Sequence, residues 1–177
     1  MSDDVSIRTA LAGVDDDVVT DLITEYLTWA LTRLRDEYGI TELVADPDEV
    51  RSSLVGLRPP AGEIVLAQTE GRPAGVAAMR WLARDTAEIK RMYVPERYRG
   101  RRIGARLLDR LLADADATGA RVVRLDSVRF MDDARALYLS RGFVERSPYE
   151  GTEIPVHLHE YWRFFELDLA SRNEAFV

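Results

Sequence analysis

Six arginines crowd the fifteen residues from Glu96 to Arg110: Arg97, Arg99, Arg101, Arg102, Arg106 and Arg110, against only Glu96 and Asp109. The 177-residue chain carries 24 basic and 31 acidic residues, so this stretch at +4 is set in a remainder of −11. Apart from Lys90 every basic residue is arginine, whose planar fork of donors matches phosphate oxygens. An apolar strand pattern ending at Val94 passes through Gly100 into a helix pattern from about Arg101. That junction places the unbonded N–H groups of a first helical turn, and the positive end of its dipole, beside the guanidiniums. The chemistry implied is binding of a compact polyanion. Neither the Gly-Lys-Ser/Thr of a Walker loop nor a full GxGxxG fingerprint is present, because the segment holds only Gly100 and Gly104. Arg106 and Arg110, one and two turns into the helix, fit a solvated helix face equally well. His157 and His159, beside Glu160, have the alternate spacing of two strand metal ligands, but no third ligand is evident and no metal is expected.

The elements that must position this junction are legible along the chain. Ser6 to Ala10 alternates as a first strand. Asp15 to Asp17 offer an N-cap and a negative first turn to a helix whose stripe is Val18, Leu22, Tyr26, Ala30 and Leu34, with Gly39 as its C-cap. Asp46-Pro47-Asp48-Glu49 predicts a short capped helix through Val50 and Leu54, ended by Pro59 and Pro60. Three strands follow, Glu63–Thr69, Ala74–Leu82 and Ala87–Val94, close enough in sequence for an antiparallel meander. A helix over about Arg101–Asp116 carries Ile103, Leu107, Leu111 and Ala115 on one stripe and stops at Gly119. Val122–Asp126 is a buried strand which, reached through a helix, should lie parallel to its predecessor. A helix over Ala134–Arg141, ending at Gly142, and strands Phe143–Arg146 and Tyr161–Leu169 complete the order. The pattern predicts a mixed α/β sandwich and not a doubly wound sheet.

Composition narrows the function further. With 46% hydrophobic residues the chain can fold as a globular unit, and its length predicts one domain over 1–177, with a tail from about 170. No cysteine is present, which excludes disulfides, thiolate zinc sites, iron–sulfur clusters and a thiol nucleophile. A net −7 disfavours nucleic acid or an anionic membrane as partner. The start Met1-Ser2-Asp3-Asp4 is acidic where a secretory signal would be basic, and no run approaches the ~18 apolar residues of a membrane span, so a cytoplasmic protein is expected. Tyr26, Trp29 and Trp81 are expected in the core.

The stretch AEIKRMYVPERYRGRRIGARLL, Ala87 to Leu108, resembles motif A of the Gcn5-related N-acetyltransferases (GNAT), Arg/Gln-x-x-Gly-x-Gly/Ala, which binds the pyrophosphate of acetyl-CoA. Arg99, Ile103 and Gly104 match, while Arg102 stands where the first motif glycine usually is. A second block, ARALYLSRGF from Ala134 to Phe143, is similar to the family's later Ala-x-x-x-Tyr helix and Gly-Phe strand start; Met131 stands seven residues before that tyrosine, where the family often has asparagine. The likeness is good from Glu63 to Glu145 and covers Ile7 to Leu57 in element order only. It implies a central mixed sheet of about seven strands, flanked by about four helices, with a splay between the fourth and fifth strands.

What the resemblance implies about chemistry can be assigned residue by residue. Acetyl-CoA would be held by the main chain of Met92, Tyr93 and Val94, by Arg99, Gly100, Arg101, Arg102, Ile103, Gly104 and Ala105, and at Met131. Glu88, eleven residues before Arg99, stands where members with a strand glutamate carry their general base. The alternative for Glu88 is a surface carboxylate paired with Lys90 or Arg91. Strict alternation would put it on one face with Lys90, Met92 and Val94, unless a bulge intervenes. Tyr138 corresponds to the tyrosine that protonates the departing sulfur; its alternative is a core tyrosine beside Leu137. The acceptor slot should open where Val94 and Asp126 leave their parallel pairing, with Asp126 and Tyr149 facing the acceptor, or with Asp126 capping the next loop. Tyr161 and Trp162 lie near the loop that would help wall this pocket. The expected acceptor is the primary amine of a small molecule. The alternatives are a peptide or protein N-terminus, or a silent acyl-CoA sensor, and self-association as a homodimer stays open.

Overall fold

β1 (Val5–Thr9) and α1 (Asp16–Tyr38) form where alternation and the four-residue stripe predict them, and α1 ends on Gly39 in the left-handed conformation at φ 72°. The computed structural model describes residues 5–170, so Met1 to Asp4 and the expected tail from 171 onward lie outside the described residues. Asp15 occupies the N-cap position of α1 but does not cap it with its side chain. Its carboxylate instead takes both arms of the Arg8 guanidinium, at 2.7 and 2.8 Å, and the Leu11 N–H at 2.7 Å. The hydrogen-bonded Arg8, helped by Leu11 N–H and opposed by burial, lowers its pKa from the usual 3.8 to about 2. A carboxylate with a depressed pKa stabilises the fold above its unfolded value and loses that contribution as pH falls. Acid unfolding should therefore gain a component between about pH 4 and pH 2 that Asp15→Asn abolishes. An unchanged acid profile in that variant, followed by circular dichroism, would show that the pair contributes nothing.

Asp46 caps α2 (Pro47–Ser53) as its sequence predicts, accepting from the N–H groups of Asp48 and Glu49. Then come β2 (Gly62–Thr69), β3 (Arg72–Ala83), β4 (Thr86–Tyr93), α3 (Ile103–Ala117), β5 (Val122–Val128), α4 (Asp132–Ser140), β6 (Val144–Arg146) and β7 (Trp162–Asp168). The strands form the expected mixed seven-stranded sheet, and its order is β1-β2-β3-β4-β5-β7-β6. No helix among the described residues is long and apolar enough to cross a membrane.

Packing divides the chain into two compact units whose segments alternate in sequence: residues through Arg80 with Lys90–Leu111, and Trp81–Ile89 with Leu112 onward. In the first, β2 pairs antiparallel with both β1 and β3. Its core joins Val19, Leu22 and Ile23 of α1 to Val50, Leu54 and Leu57, and to Ile64, Leu66, Val76 and Ala78 of the sheet. Each such side chain contributes roughly 1.5–3 kcal/mol on burial. Gly75 of β3 permits a close approach: a Cβ there would lie 3.0 Å from the Tyr93 carbonyl oxygen and 3.1 and 3.2 Å from Leu107 and Ile103 of α3. A side-chain-free position thus seats the first turns of α3 against the strand beside Tyr93.

In the second unit β4 runs parallel to β5, as the intervening helix requires, with Thr86, Ala87 and Glu88 opposite Val122, Val123 and Arg124. β7 pairs antiparallel with β5 along its length and with β6 on its other side. The parallel register ends at Glu88 and Arg124, earlier than the expected Val94 and Asp126. Val94 lies outside β4, and Asp126 is opposite Phe164 of β7. Alternation in β4 is also broken. Thr86 through Lys90 are all buried, and Arg91 has a left-handed φ of 55°, which no regular strand residue adopts. The single face expected for Glu88, Lys90, Met92 and Val94 is therefore not kept.

Candidate active site

The first unit carries the arginine junction. After Tyr93 the chain passes Val94 and Pro95, makes a 3-10 turn at Glu96–Tyr98, and enters α3 at Ile103, two residues later than the sequence pattern suggests. The reason is local. Arg102 has φ 58°, a left-handed conformation that cannot continue a helix backwards, while Gly100 at φ 80° adopts the same region without strain. The left-handed φ also accounts for the glycine that the motif usually places at Arg102. Its carbonyl accepts the first helical bond from the Arg106 N–H at 3.1 Å, so the N–H groups of Ile103, Gly104 and Ala105 precede the α3 ladder. Arg102→Gly is expected to raise the melting temperature of the ligand-free protein by roughly 2–4 °C, the equivalent of about 1 kcal/mol of relieved strain. A lower melting temperature in that variant would mean that the arginine side chain matters more to the fold than its backbone conformation.

The arginines are not equivalent. Arg99 is exposed, lies 5.3 Å over the Trp29 ring and donates through Nε to the Val94 carbonyl at 3.2 Å. Arg33 lies 5.9 Å over the same ring. Trp29 is thus a half-buried platform for guanidiniums and not the core residue expected. Arg97 sits 5.0 Å over Tyr98, with Arg101 at 5.9 Å from that ring. Arg101, Arg102 and Arg106 are exposed. Arg110 is committed to structure, donating to Thr9 Oγ1 at 3.2 Å and lying 3.6 Å from Glu63. Tyr93 is buried against Tyr26 at 5.6 Å, and its hydroxyl donates to Glu25 at 3.1 Å. Burial, followed by the negative Glu25, pushes its pKa up to about 12. Met92 and Val94 are half-buried.

The second unit holds Glu88, Asp126, Tyr138 and Tyr149. Glu88 is 0% exposed, which overturns its reading as a surface carboxylate. Its Oε1 accepts a hydrogen bond from the Tyr149 hydroxyl at 2.8 Å, and the same hydroxyl lies 3.5 Å from Asp126 Oδ2. The structure thus brings together Glu88, Asp126 and Tyr149. Asp126 is half-buried inside β5. Tyr149 is held edge-on to Phe164 at 5.7 Å and lies under Arg124 and Arg146, at 5.3 and 5.9 Å. Both guanidiniums converge on Glu166, Arg124 at 2.8 Å. Although burial opposes its charged form, hydrogen bonds from Arg124 and Arg146 hold Glu166 below the usual carboxylate range. Sequence reading missed this Arg124–Glu166–Arg146 bracket, for which no local signal exists.

Tyr138 is buried on α4, with its ring 6.0 Å from Phe143 and 5.4 Å from Phe165, the packing of a core tyrosine. Met131 is the N-cap residue of α4 and makes no side-chain cap bond, as expected of a thioether. His157 and His159 fall in a 3-10 turn, Val156–Tyr161, and not on a strand. The His159 Nε2 lies 2.9 Å from the Ile154 carbonyl, and its ring stands edge-on to Phe164. Trp162 opens β7 and is buried, while Tyr161 and Trp81 are half-buried.

Residues 21–143 match the sequence profile of the acetyltransferase (GNAT) family. The chain belongs to that family. The matched span includes Glu88, the whole arginine junction and Tyr138, and it ends before Tyr149. Among curated relatives, an IAA acetyltransferase from Azospirillum brasilense is 34% identical over 97 residues, covering 52% of this chain and 61% of that protein. An uncharacterized N-acetyltransferase from Dictyostelium discoideum is 37% identical over 62 residues, 35% of this chain and 29% of the relative. The chain thus spans less than two-thirds of the length of these two. A third relative, an uncharacterized N-acetyltransferase from Schizosaccharomyces pombe, is 27% identical over 154 residues, 85% of this chain and 90% of its own. Among solved structures, a GNAT-family acetyltransferase from Staphylococcus aureus superposes with a TM-score of 0.71 at 18% identity, over 93% of this chain and 99% of that one. A putative acetyltransferase from Salmonella typhimurium, solved with its cofactor acetyl-CoA, gives 0.66 at 20% identity, over 93% and 94%. These structures establish the GNAT fold.

Proposed function

We propose that this GNAT chain is an acetyl-CoA-dependent N-acetyltransferase, a single acetyltransferase domain over 1–177 that transfers acetyl directly to the primary amine of a small molecule. The observation that carries the cofactor is the turn into α3, where the N–H groups of Ile103, Gly104 and Ala105 precede the helical ladder and Arg99, Arg101 and Arg102 are exposed. There the pyrophosphate of acetyl-CoA would bind, with the main chain of Met92, Tyr93 and Val94 along the pantetheine arm and their N–H groups polarising the thioester carbonyl. Gly100 gives the turn its left-handed geometry, and Met131 would border the cofactor from the start of α4.

A primary ammonium has a pKa near ~10, so a base must remove a proton before the nitrogen can attack. Glu88 takes that proton. The amine nitrogen bonds to the carbonyl carbon, the carbon–sulfur bond breaks, and Tyr138 protonates the departing sulfur and is reprotonated by the second proton that the nitrogen sheds on becoming an amide, so the products are amide, CoA thiol and one proton left on Glu88. Asp126 and Tyr149 border the acceptor. The similarity to an IAA acetyltransferase supports a small-molecule acceptor over a protein one.

The test is release of the CoA thiol from acetyl-CoA with amino acids, polyamines, aminoglycosides and short peptides as acceptors. Turnover of a small amine is the expected result. Turnover of peptides alone would move the acceptor class. Binding of acetyl-CoA without thiol release from any amine would make the chain an acyl-CoA sensor.

A further inference from the structure

We propose that Tyr149 and Asp126 form a proton exit for Glu88, carrying away after each turnover the proton that this base takes from the acceptor. The inference rests on Glu88 acting as the base. A base that is 0% exposed cannot return its proton directly to bulk water, yet it must do so before the next amine is deprotonated. The Tyr149 hydroxyl, which donates to Glu88 Oε1 at 2.8 Å, has a second carboxylate oxygen, Asp126 Oδ2, 3.5 Å away. Asp126 is half-buried, so the line Glu88–Tyr149–Asp126 leads from a fully buried carboxylate to one that water reaches.

The chemistry balances at every atom. With Glu88 ionised, the phenol donates to it. Once Glu88 is protonated, its new O–H becomes the donor and the phenol oxygen accepts, which frees the phenol hydrogen to turn toward Asp126. Transfer then breaks the O–H bond at Glu88 and forms one at Tyr149, while the former Tyr149 proton passes to Asp126 and from there to water. Tyr149 ends as it began. The Asp126 contact must shorten by roughly half an ångström to reach a good O–H···O distance.

The surroundings keep the hydroxyl in place between its two carboxylates. Arg124 from β5 and Arg146 from β6 lie over the ring, both anchored on Glu166 of β7, and Phe164 meets the ring edge-on. The guanidiniums lie over the ring and are shared with Glu166, while the hydroxyl lies within reach of both Glu88 and Asp126.

The experiment is rapid-mixing measurement of CoA thiol release, with acetyl-CoA and the amine from the panel above that is turned over fastest, on wild type, Asp126→Asn and Tyr149→Phe. A blocked exit slows later turnovers more than the first, whatever these residues also contribute beside the acceptor. In both variants the ratio of first-turnover to steady-state rate should therefore rise about tenfold or more over wild type. Tyr149→Phe keeps the ring and its guanidinium stacking, which guards against a fold defect in Asp126→Asn. Wild-type steady-state rates in both variants overturn the relay, as does equal slowing of first and later turnovers, which would mean that these residues only shape the site. Glu88→Gln separates the two ideas: full activity there removes the base and the relay with it. A dead Glu88→Gln beside fully active Asp126→Asn and Tyr149→Phe removes the relay alone.

Discussion

Replacing Glu88 by glutamine should lower kcat by about two to three orders of magnitude near neutral pH while leaving the melting temperature at or above that of wild type. The substitution is nearly isosteric, and the amide oxygen can still accept the Tyr149 hydroxyl that now lies 2.8 Å away, so the packing survives. What disappears is a buried acceptor for a proton. The side chain keeps its size at a fully buried position, so the packing around it should not loosen. The deficit should shrink toward pH 10, where the acceptor is increasingly a free amine and needs no base. A variant whose pH–rate profile overlays that of wild type would remove Glu88 from catalysis. Loss at all pH values together with a lowered melting temperature would point instead to structural damage.

Charge reversal at Arg99 and Arg101 should abolish most of the thermal stabilisation by acetyl-CoA. At a hundredfold excess over its dissociation constant a ligand stabilises by about 2.7 kcal/mol, which for a domain of this size raises the melting temperature by roughly 5–10 °C. Arg99 and Arg101 are both exposed at the turn into α3, so two positive charges facing a pyrophosphate become two negative ones. Arg72→Glu/Arg84→Glu, at two exposed arginines outside the junction, makes the same change in net charge and should keep the full shift. Because Arg99 also lies over Trp29, the ligand-free melting temperature of the double variant must be measured alongside. An undiminished acetyl-CoA shift in Arg99→Glu/Arg101→Glu would place the cofactor elsewhere.

The arginine junction was legible because everything that makes it lies within a few residues: a strand end, Gly100, a helix start and the guanidiniums between them. The residue that departs from the family pattern there, Arg102, has a left-handed φ of 58°, so the backbone keeps the shape that glycine would have given it at lower strain. Element order was legible for the same reason. The 3.6-residue stripe of α1, the Asp46 cap of α2 and the helical crossover before β5 are signals carried by neighbours in sequence. Expectations failed where a local pattern met a non-local demand. Alternation in β4 gave way at Arg91, Asp15 turned from its helix to Arg8, and Trp29 became a platform under Arg99.

The sequence by itself determined the family, the element order and the position of the arginine-rich turn proposed to bind phosphate. Tertiary structure decided what the buried Glu88 touches. Tyr149 is 61 residues from Glu88 along the chain, and their hydrogen bond depends on how β5, β6 and β7 pair, which sets where Arg124, Arg146 and Glu166 hold the phenol. Periodicity and turn chemistry act over one or two turns of chain, whereas a side-chain partner is chosen by strand register and packing between distant segments.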